Sequence, residues 1–346
     1  MARVQAVVVT HDRKQLLLAC LEALAAQTHA LDGVTVVDNA SSDGTDEALG
    51  SAEVARRLPI DYVRLVRNGG GAEGFHYGVK HGLAGEADWL WLMDDDCEPA
   101  PDALATLLSA PRSSDPGAVL LAPLVETPDG QVLALNRGWL RRRWFKAPLV
   151  GLEPQHWARD ELRVEHVSLV GPLVRAEAAR RTAPPRRDFF IWFDDLEWTA
   201  RLGRLGGLWL IPASRIVHRE ERPLTDASAS GLARELVRGE PFDSAWKRAY
   251  GLRNLIWTGR RDGWFTPARA IAFTAVAALR SLLSGPPRLR ALRLTLLYAR
   301  DGWRGRFLNV APADWPALAD VRDPLGYLST HALEYRSEVD TPARRL

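Results

Sequence analysis

The chain has 346 residues, 47% apolar and 25% charged, with a formal net charge of only +2. That length gives ample volume for a buried core, and the composition is that of an ordinary soluble globular chain. The balance of charge leaves no bulk attraction for nucleic acid, and no such partner is expected.

The two cysteines, Cys20 and Cys97, lack CxxC or CxxH spacing. Neither a disulfide framework nor a zinc site is expected, and a reducing cytoplasm fits best. The apolar run Ala6 to Thr10 is too short for a signal-peptide core. The longest uncharged stretch, Ala270 to Leu279, is about half a bilayer span, so no threading through a membrane is expected.

Strand-like and helix-like segments alternate over the first hundred residues. Val4 to Val9 is a continuous β-branched run, as in a strand buried on both faces. Residues 13–27 place Leu16, Leu17, Cys20, Leu21 and Leu24 at helical spacing. Gly33 to Val37 reads as a second strand, followed by a loop at 38–45 and a helix from Thr45 to Leu58. Asp61 to Leu65 is a third strand, Asn68 to Gly74 a glycine-rich turn, and Gly74 to Leu83 a helix. Trp89 to Met93 is a fourth strand running into Asp94-Asp95-Asp96, with a helix from about residue 102 behind Pro101.

Further strands are expected at Ala118 to Ala122, Val164 to Val174, Leu208 to Ile211 and Ile216 to His218, with a basic aromatic insert from Arg137 to Lys146. A helix to Leu205 follows the acidic cluster Asp194-Asp195-Leu196-Glu197. From about residue 227 the chain reads as helix: Ala229 to Val237, Phe242 to Thr258, Thr266 to Ser284 and Leu289 to Arg300, the last two paired about a Gly285-Pro286-Pro287 break. This order predicts an α/β fold: an open, mainly parallel, Rossmann-like sheet flanked by helices, residues 1–225, with an α-helical C-terminal region, residues 226–346. In such sheets ligands bind beyond the carboxyl ends of the strands. Those ends carry Thr10-His11-Asp12, Asp38-Asn39, Asn68 to Gly71 and the Asp94–Asp96 triplet.

Three adjacent carboxylates repel one another, and a divalent cation gripping a diphosphate is their natural partner. The competing reading is a solvated acidic turn. Alternation along an extended segment points Asp94 and Asp96 to one side and Asp95 to the other. The glycines at 69, 70, 71 and 74 allow positive φ and close approach of backbone to a ligand, or simply a tight turn. Asp38 sits where an acid commonly meets a ribose or base, although it can also shape the turn. A carboxylate of the 194–197 cluster, walled by aromatics, suits a general base, while Asp194 with Glu197 also resembles a capping box. His218 ends a strand and is either structural or a metal ligand.

Taken together, Val7–Asp12 (VVVTHD), Val36–Thr45 (VVDNASSDGT), Asn68–Phe75 (NGGGAEGF) and Asp94–Asp96 resemble family 2 glycosyltransferases in order and separation. Trp192–Glu197 (WFDDLE), His218 and Tyr250–Asn254 (YGLRN) resemble the branch holding bacterial rhamnosyltransferases and galactofuranosyltransferases. The resemblance implies a GT-A fold and inverting transfer from a nucleotide-diphosphate sugar, of dTDP-rhamnose or UDP-hexose type, to a glycan or lipid-linked hydroxyl. It places the donor near Thr10, Asp12, Asp38, Arg67, Asn68, Gly69, Gly70, Asp94 and Asp95. It gives Mn2+ or Mg2+ to Asp94, Asp96 and His218, the catalytic base to Asp195, and the acceptor to Trp192, Asp194 and Glu197. Phe193 and Leu196 are bulky around the acidic pair, and Glu73 stands where a small residue is expected. Nucleotidyl transfer and non-catalytic sugar binding are the rival activities. The arginine-rich helices at 266–306 either pack on the catalytic domain or a second copy, or meet anionic lipid at the inner face of a membrane.

Overall fold

The computed structural model describes residues 2–141, 148–219, 242, 245–283, 287–319, 321, 323–333 and 344–345. The expected helix at Ala229 to Val237, the Gly285-Pro286 break and the second half of the basic aromatic insert, residues 142–146, lie outside them. In chain order the elements are β1 (Val4–Thr10), α1 (Lys14–Ala25), β2 (Gly33–Asp38), α2 (Thr45–Ser51), α3 (Val54–Arg57), β3 (Ile60–Arg64), α4 (Gly71–Gly82), β4 (Trp89–Asp94) and β5 (Cys97–Pro99). There follow α5 (Ala103–Ser109), β6 (Ala118–Glu126), β7 (Arg137–Leu140), β8 (Leu149–Val150), α6 (Pro154–Trp157), β9 (Leu162–Val164), β10 (His166–Val167), β11 (Leu173–Arg175) and α7 (Ala176–Arg180). The chain continues with α8 (Asp194–Leu202), β12 (Gly207–His218), α9 (Ala245–Arg261), α10 (Pro267–Leu283), α11 (Arg288–Arg304), α12 (Pro324–His331) and β13 (Arg344–Arg345).

The main sheet runs β13-β3-β2-β1-β4-β11-β6-β12-β5, with β9 pairing to β12. Its β3-β2-β1-β4 half is parallel. The short β11 enters antiparallel to both β4 and β6, so the complete sheet is mixed. The apolar run of β1 is buried along its length because helices cover both sheet faces. On one face α1 buries Leu17, Cys20, Leu21 and Leu24, the spacing read from sequence. On the other, Gly74 and Gly78 of α4 sit where an added Cβ would lie 2.3 Å from Val9 and Val7 side chains, so the helix rides close on β1.

Several expectations need correction. The stretch 45–58 forms two short helices, α2 and α3, because the extended Ala52 ends the first. The two strands expected at 208–211 and 216–218 are one strand, β12, with an irregularity between Ile211 and Arg215. The single strand expected over 164–174 is broken into β9, β10 and β11. Arg137, the first residue of the basic aromatic insert, is fully buried. Its guanidinium donates to the carbonyls of Pro123, Asn136, Ser168 and Val170 and stitches β6 to the β10–β11 connection.

Beside it, burial, with a smaller contribution from the Arg137 charge, holds the His166 imidazole down to a pKa of about 3. A neutral native imidazole means that the unfolded chain binds the extra proton below its ordinary value of 6.5. This stability is therefore present above that value and lost as pH falls toward 3. Urea titrations across the window should show unfolding free energy dropping by up to about 1.4 kcal/mol per pH unit from this group. His166→Gln should flatten that slope; an unchanged slope would refute the assignment.

Candidate active site

Strand register assembles the first half of the site. Thr10 lies opposite Asp38 on the β1–β2 pair, and Val9 opposite Asp94 on the β1–β4 pair. The carboxyl ends of three adjacent strands therefore meet at one edge. Antiparallel pairing of β12 with β5 sets His218 opposite Cys97, which brings its Nε2 to 2.9 Å from Asp96 Oδ1.

Alternation holds for Asp94 but fails beyond it, because β4 ends there and the chain turns. Asp95 does not face away from its neighbours. It accepts a hydrogen bond from Thr10 Oγ1 at 2.7 Å, and Arg13 lies 3.4 Å from Asp95 and 3.2 Å from Asp96. Arg13, which nothing in the sequence singled out, is a cation bridging Asp95 and Asp96.

Electrostatics reflect this crowding. Burial, then the Asp96 charge, pushes the Asp94 carboxyl up to about 8. Burial also lifts Asp95, to about 6, against the Thr10 hydrogen bond and the Arg13 charge. Burial acts the same way on Asp96, but the His218 hydrogen bond and the His218 and Arg13 charges outweigh it and hold its pKa below the ordinary value. Cys97 has its sulfur within 4.8 Å of ligand atoms of Asp96 and His218. Burial and then the Asp94 charge push its thiol well up, so it stays protonated and is no ligand for a hard cation. The donor set that remains is carboxylate oxygen and imidazole nitrogen, which fits Mn2+ or Mg2+.

Asp12 and Asp38 shape the neighbouring loop. Asp12, at φ 51°, accepts from the Ser42 backbone amide at 2.6 Å. Asp38 is fully buried. It accepts from the Ser41 amide at 2.7 Å, from Arg64 at 3.0 Å and from the Tyr62 hydroxyl. Its side chain thus fixes the loop that would border a nucleoside. In the glycine loop, Asn68 Oδ1 accepts from the Gly70 amide at 2.8 Å, and Arg67 pairs with the buried Glu73 at 3.1 Å. Among the loop's glycines only Gly70 has positive φ, at 82°. An added Cβ there would lie 2.1 Å from the Phe190 carbonyl. Gly74 serves helix packing and Gly71 begins α4, so four clustered glycines serve different ends.

The second acidic cluster sits on a strained turn. Phe190, Trp192 and Phe193 all have φ between 61° and 68°, which costs about 1–3 kcal/mol per residue. The backbone is held from α9. Asn254 Nδ2 is shared among the carbonyls of Phe189, Ile191 and Trp192 at 2.9–3.0 Å. Arg253 donates to the Phe189 carbonyl at 3.2 Å and to Asn309 Oδ1 at 2.6 Å. Gly251 leaves room for the Trp192 ring, which lies 2.7 Å from where a Cβ would stand. The motif Tyr250–Asn254, noted in sequence only as a resemblance, is therefore a clamp on this turn.

The turn presents Asp194 and Asp195 in the first turn of α8. No capping box forms: Phe193 takes the cap position without a side-chain hydrogen bond. Glu197, expected to meet acceptor, is instead buried and bound by Arg201 at 2.9 Å and by Arg261. Asp194 is also buried; burial first, then the charge of Asp195 and further that of Asp94, raises its pKa well above the ordinary range. The two acidic clusters thus lie within electrostatic reach of each other. Trp192, at the rim, is 46% exposed. The Ala72 amide donates to the Phe190 carbonyl at 3.1 Å, tying the glycine loop to the strained turn.

Known proteins resemble this chain in sequence and in fold. Galactofuranosyltransferase GlfT1 of Mycolicibacterium smegmatis is 34% identical over 205 residues, 58% of this chain and 65% of the relative. The chain thus matches slightly less than two thirds of that relative's length. The N-acetylglucosaminyl-diphospho-decaprenol L-rhamnosyltransferase of Mycobacterium tuberculosis is 27% identical over 326 residues, covering 86% of this chain and 97% of the relative. A crystal structure of GalNAc-T7 with UDP, GalNAc and Mn2+ superposes with a TM-score of 0.56 at 16% identity, covering 92% of this chain and 58% of that one. The shared fold is GT-A, an open sheet flanked by helices, here with a helical C-terminal region. The family model for glycosyl transferase family 2 matches residues 5–157, the stretch that builds the β1, β2 and β4 edge.

Proposed function

We propose that the chain is an inverting glycosyltransferase. It moves a sugar from a nucleotide-diphosphate donor, of dTDP-rhamnose or UDP-hexose type, to a hydroxyl of a glycan or lipid-linked acceptor in cell-surface polysaccharide synthesis. The observation that carries this reading is geometric: the Ala72 amide donates to the Phe190 carbonyl at 3.1 Å, which ties the turn carrying Asp194 and Asp195 to the glycine loop beside the β1 and β4 edge. The match to the glycosyl transferase family 2 model over residues 5–157 and the names of the relatives support it. Residues 1–225 form the catalytic unit, and 226–346 the helical region that braces the 188–193 turn through α9. The enzyme works in the cytoplasm, against the inner face of a membrane.

Thr10, Asp12 and the loop from Arg67 to Gly70 hold the nucleotide, on a loop that the buried Asp38 braces from beneath. Asp94, Asp96 and His218 would hold a divalent cation, which when bound would supply charge neutralisation at the leaving diphosphate. Asp195 removes a proton from the acceptor hydroxyl as its oxygen attacks the anomeric carbon, on the face opposite the departing diphosphate. A single displacement inverts that centre. Trp192 lines the acceptor side, where an exposed ring offers a stacking surface for a sugar, and Asp194 borders it.

The test is incubation with Mn2+ and a panel of nucleotide sugars and acceptors. Release of nucleoside diphosphate, coupled to glycosylated product and lost in Asp96→Ala, is expected. Pyrophosphate release would instead mean nucleotidyl transfer, and donor binding without turnover a binding module; either would overturn the proposal.

A further inference from the structure

The outward face of α10 carries the next inference. Pro267, Ala268, Ile271, Ala275, Val276, Leu279, Leu282 and Leu283 are all exposed, Ile271 at 69%. They recur singly or in adjacent pairs at three- and four-residue spacing, so they form one stripe along about 25 Å of helix. The opposite face is committed: Arg269 and Ala270 are buried, and Phe273 packs on Trp264 and Phe265. Beside the stripe, α11 exposes Leu289 and Leu296 together with Arg288 and Arg293. From Gly263 to Arg300 the sequence contains six arginines and no aspartate or glutamate. No helix among the described residues is long and apolar enough to cross a membrane.

An apolar stripe whose charged neighbours within residues 263–300 are all cationic calls for an occupant that is apolar and anionic together. A second copy of the chain does not qualify. A two-fold contact would set one arginine rim against another with no carboxylate to answer it. An anionic bilayer does qualify: acyl chains accept the leucines while headgroup phosphates meet the guanidiniums. We infer that α10 and α11 form a monotopic docking surface, with α10 lying in the plane of an anionic lipid interface. The inference stands on this surface alone and does not rest on the transfer reaction.

The test uses the full chain with phosphatidylcholine vesicles, with and without phosphatidylglycerol. Flotation is expected only with the anionic vesicles, weakening as salt rises. Leu279→Glu/Leu283→Glu, at exposed positions that leave the core intact, should weaken binding at least about tenfold. The variant's melting curve and its transfer to a soluble acceptor should stay unchanged. Equal flotation of parent and variant, or no flotation of the parent, would overturn the inference. So would a parent dimer in sedimentation that the variant dissolves, because the stripe would then be a contact between copies. Loss of transfer by both proteins, with flotation intact, would count against the enzymatic reading alone.

Discussion

Replacing Asp195→Asn is expected to lower the rate of sugar transfer by about 10²–10⁴-fold, the usual contribution of a positioned general base. The substitution is chosen so that the fold survives. Asp195 Oδ1 accepts the Leu196 amide at 2.6 Å, and an asparagine carbonyl oxygen can do the same. What the amide cannot do is take a proton from the acceptor hydroxyl. The expected pattern is a collapse of kcat with little change in donor KM, because Thr10, Asp38 and the Asp94–Asp96 edge are untouched. Thermal melting should match that of the parent chain. A variant retaining more than about a tenth of parental kcat would remove Asp195 from the base role.

The second large effect belongs to a residue remote from the reacting atoms. Asn254→Ala removes the amide shared by the carbonyls of Phe189, Ile191 and Trp192. The cost to stability is about 1–3 kcal/mol, since buried carbonyls lose a donor. The cost to transfer should be larger. The turn that carries Asp194 and Asp195 contains three non-glycine residues at positive φ, and it keeps that shape only while its surroundings impose it. Relaxation by about 1 Å would misplace Asp195 and lower kcat on the order of 10²-fold. Under the proposed mechanism Asn254 is a positioning residue that acts through the turn and does not touch substrate. A fall in kcat at nearly constant donor KM, at temperatures well below the melting point, distinguishes this from simple destabilisation. Parallel losses of kcat and folded fraction would leave Asn254 a purely structural residue. Arg253, Asn309 and the fully buried Tyr250 complete the brace, and the Tyr250 hydroxyl both accepts the Val310 amide at 2.9 Å and faces its carbonyl at 3.1 Å.

Much of this organisation is legible in the amino-acid order because it is local. The β-branched run of β1, the 3.6-residue spacing in α1 and the strand-to-acid transitions at Asp38 and Asp94 are properties of short segments, set by backbone sterics and the burial of apolar faces. Crossover geometry then forces the parallel strands to end at one edge, so Thr10, Asp38 and Asp94 could be placed together before any coordinates.

Tertiary structure alone decided which polar groups are already spoken for. No spacing rule says that Glu197 pairs with Arg201 and Arg261, that Arg137 is buried among carbonyls, or that Arg13 reaches the acidic triplet. Each depends on side chains brought together from separate elements by packing. The same holds for the clamp from α9 on the 188–193 turn, which joins segments some sixty residues apart. Sequence periodicity reports which faces are apolar; only the assembled chain reports which charges have found partners and which backbone is held under strain, because both arise from contacts that the local order of residues does not encode.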